Sequence, residues 1–270
     1  MMYNKIAIHG VPRSGTSWVG SLFDSSRNVV YRHQPLFSYA FKSFLSENSS
    51  RKEINEFFKK ISTSNDDFIT QKKEKEKGSI PSFKKDNITH IVYKEARYHH
   101  ILKNLLEKNK EIKVVGIIRN PKSVINSWIN APKEFDSENW NVSAEWRKAP
   151  KKNKNSIEEF YGYEKWKEIA NLFIELKQKY PNRFYILNYK MLLYNTEDEV
   201  KKMFRFCNLN IDNQVLEFIT NGQKKDMSHN AYSVFRLNQK DDKWIENLPT
   251  CIIDEIDDDL KETSLEPYIY

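Results

Sequence analysis

An α/β fold, a parallel sheet covered by helices on both faces, is predicted for this chain by three observations. Short apolar runs at Lys5–Ile8, Val29–Tyr31, Ile88–Tyr93, Val114–Ile118 and Phe184–Asn188 read as buried strands. Segments with helical spacing separate them, an alternation that makes strands parallel and covers both sheet faces. The first strand runs directly into a glycine-bracketed turn, Gly10-Val11-Pro12-Arg13-Ser14-Gly15-Thr16-Ser17-Trp18, which opens a helix.

Taken in order, the first helix is expected from Ser17 to about Phe23, and Asn28–Tyr31 gives the second strand. A helical region over Phe37–Ile61 is interrupted near Asn48-Ser49-Ser50. Gln71–Asn87 is polar, charge-dense and carries Gly78 and Pro81, so it reads as an exposed loop whose Lys72–Lys77 run is solvated. After the third strand, Tyr98, Ile101, Leu102, Leu105 and Leu106 follow helical spacing, giving a helix to about Lys108. The strand ending at Ile118 leads into an amphipathic helix containing Ser127. A long loop over Ala131–Ser156 includes the basic run Arg147–Asn155. Glu158–Tyr180 reads as a helix with Phe160, Ile169, Leu172, Phe173 and Leu176 inward, stopped by Pro181. Thr196-Glu197-Asp198-Glu199 has the form of a capping box for a helix through Phe206, and Asp254–Asp259 reads as an exposed acidic face.

Composition sets the bounds. At 270 residues one domain spanning 1–270 is expected, with 30% charged and 39% hydrophobic residues, ordinary for a soluble globular chain. A net charge of +7 suits anionic ligands or simply solubility. Cys207 and Cys251 stand far apart without metal-ligand spacing, as expected of thiols in a reducing compartment. No run approaches the roughly 20 apolar residues of a membrane span. A cytoplasmic protein is therefore expected.

The turn carries the chemistry. Its glycines let backbone N–H groups approach an anion, and the following helix N-terminus adds about half a positive charge. The spacing G-x-x-x-x-G-x-[ST] is that of a nucleotide P-loop, which predicts a P-loop-type sheet. Thr16, however, stands where an NTPase needs lysine, and the cation lies instead at Arg13. The strand ending at Ile118 is followed by Arg119-Asn120-Pro121, not by the metal-holding aspartate of a Mg-dependent enzyme. Arg119 and Ser127 can clamp a second phosphate, the guanidinium as a planar fork and the serine as a short hydroxyl. A ligand with two separate anionic ends, and no metal, is implied.

These residues resemble the sulfotransferases that use 3′-phosphoadenosine 5′-phosphosulfate (PAPS). Gly10–Trp18 is similar to their 5′-phosphosulfate loop, x-x-P-[KR]-S-G-T-[ST]-W, and Arg119 with Ser127 matches their R-x7-S pair at the 3′-phosphate. Phe184–Tyr189 resembles the strand before their "YED" segment, and Phe206-Cys207-Asn208-Leu209 resembles their "FLGL" ending. The resemblance implies that PAPS is the co-substrate and that Arg13 neutralises the leaving phosphate. It further implies that Gly10, Ser14, Gly15, Thr16 and Ser17 hold the 5′-phosphate, and that Trp18 stacks on adenine with Tyr189 beside it. The family's closing segment resembles R-K-G-x-x-G-D-W; Arg236–Trp244 keeps the arginine and tryptophan but has no glycines and one extra residue. Arg236 and Lys243 are then candidate 3′-phosphate contacts.

The general base is open at this level. Transfer to a hydroxyl needs a proton acceptor at the in-line position. Cytosolic members use a histidine in Lys-x-His, where this chain has Lys94-Glu95-Ala96; Glu95 can substitute, and His99 and His100 lie a turn further on. Carbohydrate-sulfating members place a glutamate after the second strand, where this chain reads Arg32-His33-Gln34. His33 replaces it, its unperturbed pKa lying near neutrality. Lys94 is a candidate to steady the sulfuryl oxygens. The acceptor carries a hydroxyl on a glycan, lipid or small metabolite, with a carbohydrate favoured by the position of His33. The rival readings are a P-loop kinase or NTPase, disfavoured by Thr16 and Arg119, and a basic nucleic-acid-binding protein, for which no motif is present.

Overall fold

The computed structural model describes residues 3–222 and 240–270. Strand β1 (Asn4–His9) feeds helix α1 (Thr16–Ser25), and β2 (Val29–His33) is followed by α2 (Arg51–Thr63) and two short helices, α3 (Asp67–Thr70) and α4 (Lys72–Glu76). Then come β3 (His90–Glu95), α5 (Leu102–Lys108), β4 (Ile112–Ile118) and α6 (Pro121–Ile129). Two single-turn helices, α7 (Val142–Glu145) and α8 (Pro150–Asn153), precede the long α9 (Tyr163–Lys179) and β5 (Phe184–Asn188). The chain continues through α10 (Tyr189–Tyr194), α11 (Thr196–Phe206) and α12 (Asn213–Gly222), and closes with α13 (Trp244–Asn247) and α14 (Thr250–Leu260). Among the described residues no helix is long and apolar enough to cross a membrane.

All five strands are parallel, in the order β2-β3-β1-β4-β5. The period-2 alternation of strand side chains divides the core in two. Ala7, Ile91, Tyr93 and Val114 point to one face, against α2, α5, α9 and α14. Ile6, Ile8, Val92, Val115 and Ile117 point to the other, against α1, α10, α11 and α12. Val19, Leu22 and Phe23 of α1 have no exposed surface, and each contributes about 1.5–3 kcal/mol relative to an exposed side chain. The register places His9 opposite both Glu95 and Gly116, His33 opposite Lys94, and Ile118 opposite Asn188. The carboxyl ends of all the strands thus share one edge. β1 lies between β3 and β4, where the strand order reverses, the position at which such sheets form a ligand crevice.

Several expected elements shift. The helix expected from Glu158 begins at Tyr163, because Gly162 at φ 86° breaks the backbone before it. Thr196 is the first helical residue of α11, not its cap, and Glu199 pairs instead with Lys202 at 2.6 Å. The true capping box lies at Ser50 and Glu53, where α2 starts; the helical region expected from Phe37 therefore starts late. The Gln71–Asn87 loop contains the one-and-a-half turns of α4. The acidic face of α14 is an interface as well as a surface: Asp257 accepts from the buried Lys122 of α6 at 2.7 Å, and Asp259 accepts from Lys167 of α9 at 2.7 Å. Both cysteines are free, Cys207 buried and Cys251 exposed.

Candidate active site

The turn after β1 is built by its own small residues. Ser14 N–H and Oγ–H both donate to the Val11 carbonyl, at 3.1 and 2.7 Å, folding the loop back on itself. Arg13 takes a left-handed conformation at φ 72°. Gly15 sits at φ 91°, and a Cβ there would lie 2.3 Å from the Tyr189 ring. Gly15 heads α1 with no side-chain cap, so the first-turn N–H groups of the helix face outward beside the loop.

A cavity of about 490 Å³ opens over this loop. Arg13, Gly15, Thr16, Ser17 and Trp18 line it from α1's side, with Ser127 and Tyr189 beside them. Gly10 and Ser14 lie behind, as structural supports of the turn. The Arg13 Nε–H donates to Ser127 Oγ at 3.1 Å, and an Arg13 Nη stands 3.8 Å from Glu134. Trp18 meets Tyr189 edge to face at 5.9 Å between ring centres. The buried Tyr189 hydroxyl has no hydrogen-bond partner.

The far wall comes from the ends of β2 and β3. His33 and Lys94 both line the cavity, whereas Glu95 does not. Strand alternation decides this: Lys94 and Ala96 face the crevice, and Glu95 turns to the opposite side, where it accepts from the Leu36 N–H at 2.7 Å. Of the two principal candidates for the base, the structure therefore brings His33 and not Glu95 to the cavity. His99 is also fully buried, its Nδ1 3.1 Å from His9 Nδ1 and away from the crevice. Gln34 places its amide nitrogen 3.1 Å from His33 Nε2. The other ring nitrogen, Nδ1, is buried with no hydrogen-bond partner. Burial, reinforced by the Lys94 charge, pushes His33 well below the ordinary histidine range, so the ring is neutral at pH 7. Burial also lowers Lys94, to about 8, against the opposing pull of Glu95.

Glu95 carries a stability prediction. Burial pushes its carboxyl up to about 8 from 4.5, although Leu36 N–H and Lys94 pull the other way. The folded chain thus holds a proton that the unfolded chain releases, and stability falls as pH rises between 4.5 and about 8. Glu95→Gln, which keeps an acceptor for Leu36, is expected to flatten that fall. Thermal melts across the window check it, and an unchanged slope refutes it.

The second cationic residue is held differently from expectation. Arg119 is 5% exposed and does not line the cavity. Its guanidinium donates through Nε at 3.0 Å and Nη2 at 2.5 Å to the carboxylate of Asp241, and through Nη1 at 2.7 Å to the Arg13 carbonyl. It also stacks 4.8 Å above the Tyr189 ring. Ser127, expected beside Arg119, faces Arg13 instead. Lys243 is exposed at the start of α13 and does not reach the cavity. Arg236 lies outside the described residues. Sequence reasoning missed Glu134 and Asp241, because each meets its arginine only through the tertiary fold, across 121 and 122 residues in sequence. Among the described residues no cluster of three or more His, Cys, Asp or Glu could hold a metal ion.

A family model described as the sulfotransferase domain matches residues 4–264. The chain belongs to this family. Solved structures agree with the fold of this sulfotransferase at low sequence identity. Mouse sulfotransferase SULT7A1, complexed with PAP, is 13% identical, with 99% of this chain and 88% of that chain covered and a TM-score of 0.55. Retinol dehydratase in complex with retinol and PAP is 13% identical, covering 98% and 83%, with a TM-score of 0.56. The sulfotransferase domain of the Synechococcus PCC 7002 olefin synthase is 12% identical, covering 90% and 88%, with a TM-score of 0.50. No curated protein sequence matches this sulfotransferase.

Proposed function

We propose that this sulfotransferase moves the sulfuryl group of PAPS to an acceptor hydroxyl by in-line displacement, with His33 as general base. The observation that carries the reading is a single cavity that unites the Arg13 loop, the Trp18–Tyr189 aromatic pair and the His33–Lys94 wall. The nucleotide's 5′-phosphosulfate lies on the first-turn N–H groups of α1 and the Thr16 and Ser17 hydroxyls, with adenine against Trp18. The acceptor oxygen attacks sulfur as His33 takes its proton. The S–O bond to the 5′-phosphate breaks, and 3′-phosphoadenosine 5′-phosphate leaves, its new charge met by Arg13. Lys94 steadies the sulfuryl oxygens. Fixed backbone donors suit this step because they need no reorganisation as charge moves to the phosphate.

The acceptor side is walled by segments that intervene between the core elements. Phe68, Gln71, Glu74 and Ile80 come from around α3 and α4, and Lys133 and Glu134 from the segment after α6. Aromatic, amide and charged groups alternate there, which favours an acceptor with hydroxylated faces, a carbohydrate foremost, over a wholly apolar one. Retinol dehydratase, which shares this fold, has been solved in complex with the apolar molecules retinol and androsterone.

Calorimetry with 3′-phosphoadenosine 5′-phosphate, and with ATP without and with Mg, tests the donor assignment. The bisphosphate is expected to bind without metal, and Arg119→Ala to weaken it roughly 10- to 100-fold, the loss of one charge-assisted pair of about 1.5–3 kcal/mol. Preference for Mg-ATP, or an Arg119→Ala variant that binds like wild type, would sink the reading.

A further inference from the structure

The arginine that should receive the nucleotide's 3′-phosphate already holds an anion. Two oxygens of Asp241 fork onto the Nε–Nη2 edge of Arg119 at 2.5–3.2 Å, with both side chains 6% exposed. That forked edge is what a guanidinium offers a phosphate. Asp241 is itself held at three further points, one on its carboxylate and two on its backbone carbonyl. Tyr270 Oη–H donates to its Oδ2 at 3.1 Å, while Ser123 Oγ–H and Trp244 Nε1–H donate to the Asp241 carbonyl at 3.1 and 3.0 Å. Burial alone would raise the Asp241 carboxyl, but Arg119 holds it below the ordinary aspartate range, so it is ionised at neutral pH.

Resting on the donor site proposed above, we propose that Asp241 is a latch on Arg119 that the 3′-phosphate must displace, which makes Asp241 a determinant of donor specificity. The forked edge takes one anion at a time, and the two anions repel each other. Removing one partner from a buried pair is strongly unfavourable, so the latch opens only in exchange for another anion at the same place. A nucleotide with a 3′-phosphate makes that exchange. A 5′-monophosphate has nothing to offer Arg119 and leaves the latch shut.

The test titrates 3′-phosphoadenosine 5′-phosphate and adenosine 5′-monophosphate into the full chain, metal-free, as wild type, Asp241→Asn and Tyr270→Phe. Asp241→Asn keeps an acceptor for Arg119 but removes the competing charge. It is expected to tighten the bisphosphate by about tenfold or more, while the monophosphate stays within about twofold, since only the former contests the edge. Tyr270→Phe leaves the Arg119 pair intact and is expected to move the bisphosphate in the same direction by a smaller factor, which keeps the question answerable if Asp241→Asn folds poorly. Wild type that binds the bisphosphate, with both variants binding it equally or more weakly, overturns the latch and leaves the donor site standing. A bisphosphate that binds none of the three overturns both.

Discussion

His33→Ala lowers kcat by a factor of about 10² to 10⁴, the range for loss of a positioned general base, while binding of the bisphosphate product is unchanged. The expectation follows from where β2 ends. His33 closes the strand opposite Lys94, faces the cavity and is neutral at pH 7. A base acts in its unprotonated form, so its contribution is lost as pH falls through its pKa. Burial and Lys94 hold that pKa well below 6.5, so the acid limb of kcat/KM lies below pH 6.5. Lys94→Met removes the neighbouring cation and lets His33 move up, so the limb shifts to higher pH whatever the loss in rate. Steady-state kinetics across pH for the two variants check both points. A His33→Ala enzyme with near wild-type kcat, or a limb that does not move in Lys94→Met, would remove His33 from the role.

Gly15→Val is the second large effect, on folding and nucleotide binding together. The backbone there lies at φ 91°, and a Cβ would stand 2.3 Å from the Tyr189 ring. Left-handed strain costs about 1–3 kcal/mol for a residue with a Cβ, and overpacking adds about 1–3 kcal/mol. The sum is a large part of a domain's total stability of about 5–15 kcal/mol. The ring cannot retreat freely, because Tyr189 is fully buried under the Arg119 guanidinium. Gly78→Val supplies the contrast: φ is 68°, yet nothing lies within 4 Å of its Cβ position, so only the backbone term remains. Chemical denaturation of both variants separates the two contributions. Equal losses at the two glycines would mean that the Tyr189 contact is not what constrains Gly15.

Local chemistry made much of this molecule legible. Five apolar runs became five parallel strands, each within a few residues of its expected ends. The Gly10–Trp18 turn became the floor of the cavity, since glycine positions, a strand and a helix start are all encoded by neighbours in sequence. The start of α9 and the cap of α11 were less legible, because Gly162 and Asn195 act through backbone conformation and not through apolar spacing. Glu95 and His33 could not be separated as bases from their motifs. One residue of strand register turns a side chain to the other face of the sheet, and only the paired structure shows which face holds the crevice.

By itself the sequence determined the fold class, the glycine-bracketed turn between β1 and α1 and the family, because each rests on short-range patterns of residue type and spacing. Only the tertiary structure decided that His33 and Lys94 share a wall, that Ser127 serves Arg13, and that Asp241 already sits on Arg119. Those pairings join residues up to 122 positions apart. They are set by how the strand ends and helices converge on one edge of the sheet, which no local spacing records.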